Sequence, residues 1–253
     1  MAFLDFKFFS EVLGIQTEVY VLLPQKNLNG EIGTNAKAPD EKYKCLYLLH
    51  GLSDDHTIWM RRTSIERYAS EYGIAVVMPC AHKSFYTDMK YGMNYYTFIA
   101  KELPDRMCEF FNISPKREDN FVAGLSMGGY GALKIALREN NRFCAGAGFS
   151  SAADMEIRRF RDVMIPIFGE EQIIPDEDNL FTLAEMKANE ENRPRRFMGC
   201  GTEDGLYDEN IRLRDKLKSH GYDLTYRESP GTHCWEFWDE YIQYALEWMF
   251  GKK

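Results

Sequence analysis

The residues best placed to do chemistry are centred on Ser126. This serine lies in Gly124-Leu125-Ser126-Met127-Gly128, after an apolar run at residues 121–123 and before a helical pattern that begins at Tyr130. A serine on a tight strand-to-helix turn needs small residues two positions before and two positions after it, because larger side chains would collide there. The pattern therefore predicts an exposed nucleophile at the positive end of a helix.

A serine hydroxyl attacks a carbonyl only when a base removes its proton, and histidine is the usual base. When the nucleophile lies on such a turn, the acid and then the base follow it along the chain. Of the five histidines, only His220 and His233 lie downstream of Ser126. The pattern places His220 at the exposed end of an amphipathic helix, whereas His233 follows a predicted strand at residues 223–227. We therefore predict that His233 is the base.

The acid is expected in the turn after a predicted strand at residues 197–200. That turn offers Glu203 and Asp204, and Asp208 follows a few residues later. We favour Asp204, since a short side chain beside Gly205 suits a turn that presents a carboxylate to imidazole. Spacing alone does not exclude Glu203 as the acid.

Ester cleavage also needs amide donors for the negative charge that develops on the carbonyl oxygen. One predicted donor is the N–H of Met127, directly after the nucleophile, and the other is the N–H of Leu52, in the loop after the apolar run at residues 45–49. Tyr86, in an aromatic segment at residues 84–92, is expected either to line the substrate pocket or to pack that segment against the body.

Short apolar runs alternate with helical patterns along the chain, which predicts a single α/β domain over residues 1–253. The expected architecture is a sheet of about eight strands, mostly parallel, with helices on both faces. The charged stretch at residues 151–192 interrupts this alternation after a strand, and we interpret it as a lid or cap over the carboxyl edge of the sheet. The alternative is a surface insertion that does not contact substrate.

Composition excludes several classes of protein. The chain has 253 residues, 45% of them hydrophobic, and a net charge of −8, so it is neither a disordered protein nor one expected to bind nucleic acid or a membrane. The six cysteines include no C-x-x-C pair, and the start has no export signal, which predicts reduced thiols in the cytoplasm. No metal or other cofactor is expected.

Several blocks of the chain resemble one family. They are Leu48-Leu49-His50-Gly51-Leu52-Ser53, Trp59-Met60-Arg61-Arg62-Thr63, Tyr86-Thr87-Asp88, Gly124-Leu125-Ser126-Met127-Gly128-Gly129-Tyr130-Gly131, Cys200-Gly201-Thr202-Glu203-Asp204 and Gly231-Thr232-His233-Cys234-Trp235-Glu236-Phe237-Trp238. In this order they resemble the esterase D-like esterases of the α/β-hydrolase fold, which include bacterial tributyrin, feruloyl and acetyl-xylan esterases.

The resemblance implies a triad of Ser126, Asp204 and His233, oxyanion donors at Leu52 and Met127, and a small lid after the sixth strand. It leads us to expect Trp59 and Tyr86 at the substrate site, and an enzyme that often forms homo-oligomers. The implied activity is hydrolysis of short-chain acyl or aryl esters, such as acetyl, butyryl or feruloyl esters, through an acyl-enzyme.

Three other functions are weighed against this one. An S-formylglutathione hydrolase would cleave a thioester on a similar framework, and an acyltransferase would pass the acyl group to a sugar instead of water. A protein that binds without catalysing would keep the fold but would not react with a fluorophosphonate probe.

Overall fold

The structure, a computed structural model, describes residues 1–25, 41–156 and 161–251. Within these ranges the chain forms one sheet of eight strands in the order β1-β2-β4-β3-β5-β6-β7-β8. Strands β1 and β2 form an antiparallel hairpin, β2 pairs antiparallel with β4, and all other pairs are parallel. The predicted mostly parallel sheet of about eight strands is thus confirmed. The strands are β1 (Ala2–Ser10), β2 (Ile15–Leu23), β3 (Cys45–Leu49), β4 (Ala75–Pro79), β5 (Asn120–Leu125), β6 (Ala145–Phe149), β7 (Arg195–Gly201) and β8 (Leu224–Ser229).

Helices connect the strands. They are α1 (Ile58–Arg62), α2 (Ile65–Tyr72), α3 (Tyr95–Thr97), α4 (Leu103–Phe110), α5 (Met127–Arg138), α6 (Arg161–Phe168), α7 (Leu180–Met186), α8 (Tyr207–Ser219) and α9 (Trp235–Phe250). A π-helical turn at Phe98–Glu102 joins α3 to α4. None of the helices in the three described ranges combines the length and the apolar character that crossing a bilayer requires.

Two hydrophobic cores hold the helices against the sheet. Along β3, Cys45, Tyr47 and Leu49 belong to one core, while Leu46 and Leu48 belong to the other. Successive side chains of a strand point to opposite faces, so this alternation shows that both faces are covered. Each fully buried aliphatic or aromatic side chain contributes about 1.5–3 kcal/mol. The central strands are therefore rigid, and they fix the positions of the loops at their carboxyl ends.

The predicted lid divides into two parts. The later part contains α7, which packs against α5 and α8 and is therefore an ordinary connection between β6 and β7. The earlier part contains α6, whose Ile167 and Pro166 carbonyls accept hydrogen bonds from the Lys90 and Tyr91 amides at 2.9 Å. Residues 157–160 of the predicted lid lie outside the described residues.

Candidate active site

Ser126 lies on the predicted sharp turn between β5 and α5. Its backbone has φ 54° and ψ −117°, a conformation that is strained for a residue with a side chain. Two close approaches enforce the turn. A Cβ on Gly124 would collide with the Gly128 carbonyl, and a Cβ on Gly128 would stand 2.5 Å from the Leu49 carbonyl oxygen. Glycine is therefore needed on both sides of the serine, and helix α5 begins immediately after it.

His233 contacts both of its predicted partners. Its Nε2 lies 3.0 Å from Ser126 Oγ, and its Nδ1 lies 2.9 Å from Asp204 Oδ2. Ser126 follows β5, Asp204 follows β7, and His233 follows β8, so parallel strands bring all three to one edge of the sheet. The three side chains can act together as a relay in which imidazole takes the hydroxyl proton while the carboxylate holds the ring in the correct tautomer.

The environment of Asp204 keeps this carboxyl group ionised. Its side chain is fully buried, and burial alone would raise its pKa, but hydrogen bonds from His233 and from the Leu206 amide outweigh that effect and lower the pKa. The His233 side chain is 36% exposed, and its ring lies edge-on to Trp238. A buried anion thus orients an imidazole that substrate and water can reach.

Glu203, the alternative acid, has a different position. Its amide donates to the Gly231 carbonyl at 3.0 Å, and its carboxylate accepts from the Gly231 amide at 2.5 Å. These two bonds join the acid turn to the loop that carries His233. Of the two carboxylates that spacing left open, Asp204 contacts the imidazole, and Glu203 fixes the loop two residues before it.

The two predicted amide donors flank the nucleophile. Met127 is the first residue of α5, and Leu52 lies on the loop after β3 that also forms part of the cavity wall. Within the described residues, neither amide donates to a backbone or side-chain acceptor. His50 shapes this loop as a neutral ring: burial lowers its pKa to about 4, its Nε2 accepts from the Ala81 amide, and its Nδ1 faces the Gly51 carbonyl at 2.7 Å.

A cavity of about 500 Å³ opens beside Ser126. Its walls are mainly apolar, with three aspartates and the triad histidine among them. Ala152, Met155 and Met164 come from the earlier part of the predicted lid, and Met164 lies on α6. The lining residues are Gly51, Leu52, Ser53, Asp54, Phe85, Leu125, Ser126, Ala152, Asp154, Met155, Met164, Asp204, Gly205, Leu206, His233, Trp235 and Trp238.

Two predicted substrate residues lie behind this wall instead of on it. Tyr86 is fully buried and donates its hydroxyl hydrogen to the His50 carbonyl at 2.9 Å, while its neighbour Phe85 lines the cavity. Both residues have a left-handed backbone, with φ near 50°, in the turn that puts Phe85 on the wall and Tyr86 behind it. Trp59 is also buried, and it donates to the Leu49 carbonyl at 3.0 Å and packs edge-on against Trp235. Sequence reasoning missed Phe85, which stood in the same aromatic segment.

No group of three or more His, Cys, Asp or Glu side chains within residues 1–25, 41–156 and 161–251 is arranged to hold a metal ion. The relay and its proposed amide donors can carry out acyl-transfer chemistry at this edge of the sheet.

Comparison with known proteins identifies the class. The family model described as "Putative esterase" matches residues 10–249. An acetyl esterase of Caldicellulosiruptor saccharolyticus is 32% identical over 263 residues, which cover 98% of this chain and 98% of that protein. The chain therefore belongs to this esterase family, as the resemblance of its sequence blocks implied.

Two solved structures share the whole fold. One is the fluorophosphonate-binding serine hydrolase F (FphF) of Staphylococcus aureus in a substrate-bound form, which is 33% identical, with 99% of each chain covered and a TM-score of 0.88. The other is S-formylglutathione hydrolase (FrmB) of Staphylococcus aureus, which is 33% identical, with 98% of each chain covered and a TM-score of 0.85. The predictions of an α/β-hydrolase fold and of a serine hydrolase that acts on carboxylic esters are confirmed.

Proposed function

We propose that this esterase hydrolyses esters of short-chain acyl and small aryl acids, such as acetyl, butyryl and feruloyl esters, through an acyl-enzyme formed on Ser126. The observation that carries the proposal is the relay itself, in which His233 lies within hydrogen-bonding distance of both Ser126 and the buried Asp204. A small-molecule ester is the partner that this cavity would take.

In the first half-reaction, Ser126 Oγ attacks the carbonyl carbon of the ester while His233 Nε2 takes the hydroxyl proton. The Leu52 and Met127 amides donate to the oxyanion, and each such donor contributes about 3 kcal/mol in related reactions. His233 then gives the proton to the leaving oxygen, the bond from carbon to that oxygen breaks, and the alcohol departs. Asp204 stays ionised throughout and stabilises the imidazolium that forms.

In the second half-reaction, water takes the place of the alcohol. His233 accepts a proton from this water as its oxygen attacks the acyl carbon, and then returns the proton to Ser126 Oγ as the acid leaves. The enzyme regains its starting state, and the net reaction consumes one water for each ester. The residues involved need no cofactor for either half.

The size of the cavity supports small substrates. A volume of about 500 Å³, walled by Phe85, Met155 and Met164, has room for a short acyl chain with a small alcohol or for one aryl acid. The two methionines have flexible side chains, so the apolar wall can adjust to acyl groups of different shape.

A hydrolysis panel tests this proposal. Wild-type protein is expected to hydrolyse p-nitrophenyl acetate and butyrate faster than the octanoate, and Ser126→Ala is expected to lower kcat by about 10⁴-fold or more. Ser219→Ala, the same change on the surface of α8, is the matched control and should keep wild-type rates. Wild-type turnover by Ser126→Ala would overturn the proposal, and methyl ferulate in the same panel decides whether aryl acids are accepted.

A second candidate is thioester hydrolysis, because the structural relative FrmB is named as an S-formylglutathione hydrolase. The same relay would cleave a thioester with a thiolate as leaving group. If kcat/KM for S-formylglutathione exceeds that for p-nitrophenyl acetate by more than about 100-fold, this function replaces the first one.

The proposal extends to the compartment. We infer a cytoplasmic enzyme, in agreement with its six free thiols. Burial raises the pKa of the Cys80 and Cys144 thiols, so these two groups react slowly with oxidants.

A further inference from the structure

The cavity wall carries a carboxylate, that of Asp54, which the mechanism does not use and which has no ion-pair partner among the described residues. Asp54 lies on the loop after β3, two residues beyond the proposed oxyanion donor Leu52, and its side chain lines the cavity. A Cβ placed on Gly51 would stand 3.0 Å from Asp54 Oδ2 and 3.9 Å from Ser126 Cβ. Leu125 Cδ1 lies 2.8 Å from the same point, so the carboxylate is separated from the nucleophile by the Leu125 side chain and the space beside this glycine.

The other two aspartates of the cavity wall have cationic or imidazole partners. Asp154 forms an ion pair with Arg212 at 2.7 Å, and Asp204 binds His233. Within the described part of the chain, no Lys, Arg or His nitrogen lies within 4 Å of Asp54. Partial burial raises the pKa of this carboxyl group, which shows that water solvates its charge incompletely. An ionised Asp54 thus projects negative charge into the space that a substrate must enter.

The aromatic residues of the cavity wall also favour a positively charged substrate. Trp235, Trp238 and Phe85 all line it, and the face of an aromatic ring attracts a cation within about 6 Å of its centre. Apart from His233, every ionisable side chain that the described residues contribute to the wall is an aspartate. A cationic substrate group would meet favourable partners there, whereas an anionic group would be repelled by the aspartates.

We propose that Asp54 is a specificity-determining residue, which makes the cavity favour esters that carry a positive charge or no charge over esters that carry a negative charge. This inference rests on the proposed esterase function and names the class of substrate more narrowly. It also disfavours the anionic peptide of S-formylglutathione as a leaving group.

Esters that differ only in charge test the inference. In the first series the charge lies on the alcohol: acetylcholine is the cation, 3,3-dimethylbutyl acetate is its uncharged isostere, and 4-acetoxybutanoate is the anion. In the second series the charge lies on the acyl group: phenyl butyrate is uncharged, and phenyl hemisuccinate is the anion. Acid release is followed in a pH-stat at about pH 8, where the carboxyl group is ionised. In the wild type, we expect kcat/KM to fall by about tenfold from the cationic to the uncharged ester and again from the uncharged to the anionic ester. In Asp54→Asn, each of these decreases in kcat/KM should be about twofold or less.

Asp55→Asn is the matched control, because it removes the same charge from the neighbouring, exposed position outside the cavity wall. It should leave the charge ranking intact. A purely structural role of Asp54 would lower all rates alike in Asp54→Asn and keep the ranking, and that result would overturn the inference. The ranking in wild-type protein should also weaken when NaCl is raised from about 0.02 M to about 0.5 M, a measurement that does not depend on a variant.

The same substrates distinguish a failure of the esterase function from a failure of the proposed role of Asp54. If wild-type protein does not hydrolyse phenyl butyrate or any acetate of the series, the esterase function itself is wrong. If it hydrolyses these esters with no ranking by charge in either series, the function stands and the role of Asp54 is wrong.

Discussion

At the scale of single residues, the acid of the relay shows how burial and hydrogen bonding compete. The Asp204 side chain is fully buried, which disfavours its charge, yet it accepts hydrogen bonds from His233 and from the Leu206 amide. The net result is a pKa below the usual 3.8, so the carboxylate stays ionised at neutral pH.

Replacement of Asp204 by Asn should put an N–H donor in place of one of the two carboxylate oxygens that face His233 Nδ1, which favours the wrong imidazole tautomer. We expect kcat for p-nitrophenyl acetate to fall by about 10³- to 10⁴-fold with a smaller change in KM. Asp208→Asn, at an exposed carboxylate four residues later, should leave kcat within about twofold of wild type. Comparable losses in both variants would contradict the assignment of the acid.

The same carboxyl group gives a pH dependence of stability with a definite sign. Its pKa in the folded protein is lower than in the unfolded chain, so its stabilising contribution is present above about pH 4 and is lost as the pH falls through the folded pKa. The Tm difference between wild type and Asp204→Asn should therefore shrink from about pH 5 to about pH 3 in calorimetry. A difference that stays constant or grows over this interval would show that the pKa is not lowered.

At the scale of elements, a buried lysine connects the nucleophile helix to two other segments. Lys134 lies two turns after Ser126 in α5, is fully buried, and donates to Thr87 Oγ1 at 2.7 Å and to Asp178 Oδ1 at 2.8 Å. The turn of Thr87 also carries the cavity residue Phe85, and Asp178 lies in the segment between α6 and α7. Burial lowers the pKa of Lys134 to about 8, although Asp178 opposes the shift.

Loss of Lys134 should leave the buried Asp178 carboxylate with Arg138, at 3.7 Å, as its remaining cationic neighbour within the described residues. Lys134→Met is expected to lower the free energy of unfolding by about 3–5 kcal/mol in urea titrations, and the double variant Lys134→Met/Asp178→Leu should recover most of that loss. Lys216→Met, which removes the exposed pair with Glu185, should cost no more than about 1 kcal/mol. Equal effects of Lys134→Met and Lys216→Met would contradict this account of the buried pair.

Several elements could be predicted because local pattern determines them. The central strands are short apolar runs, and α5 begins directly after Ser126, with Gly128 in its first turn. Helix α6 was not predicted, because Pro166 lies inside it and its pattern is mixed. Phe85 lines the cavity where Tyr86 was expected. Both residues have a left-handed backbone in this turn, which side-chain types alone do not reveal.

At the scale of the whole molecule, parallel strand order explains why the site was predictable. Ser126 and His233 are 107 positions apart, yet both follow strands of one parallel sheet and so reach the same edge. The chain order of nucleophile, acid and base then leaves few candidates for each role. Cavity shape, in contrast, depends on how the lid segment and the loop at residues 84–92 pack together, and that packing has no signature in the sequence.

The fold positions His233 and Asp204 so that one serine, Ser126, becomes reactive. A fluorophosphonate probe followed by peptide mass spectrometry measures this directly on intact protein. We expect one adduct on Ser126 in the wild type, formed at least about 10³-fold more slowly in His233→Ala and absent in Ser126→Ala. Labelling of a different residue, or equal labelling rates in wild type and His233→Ala, would contradict the account.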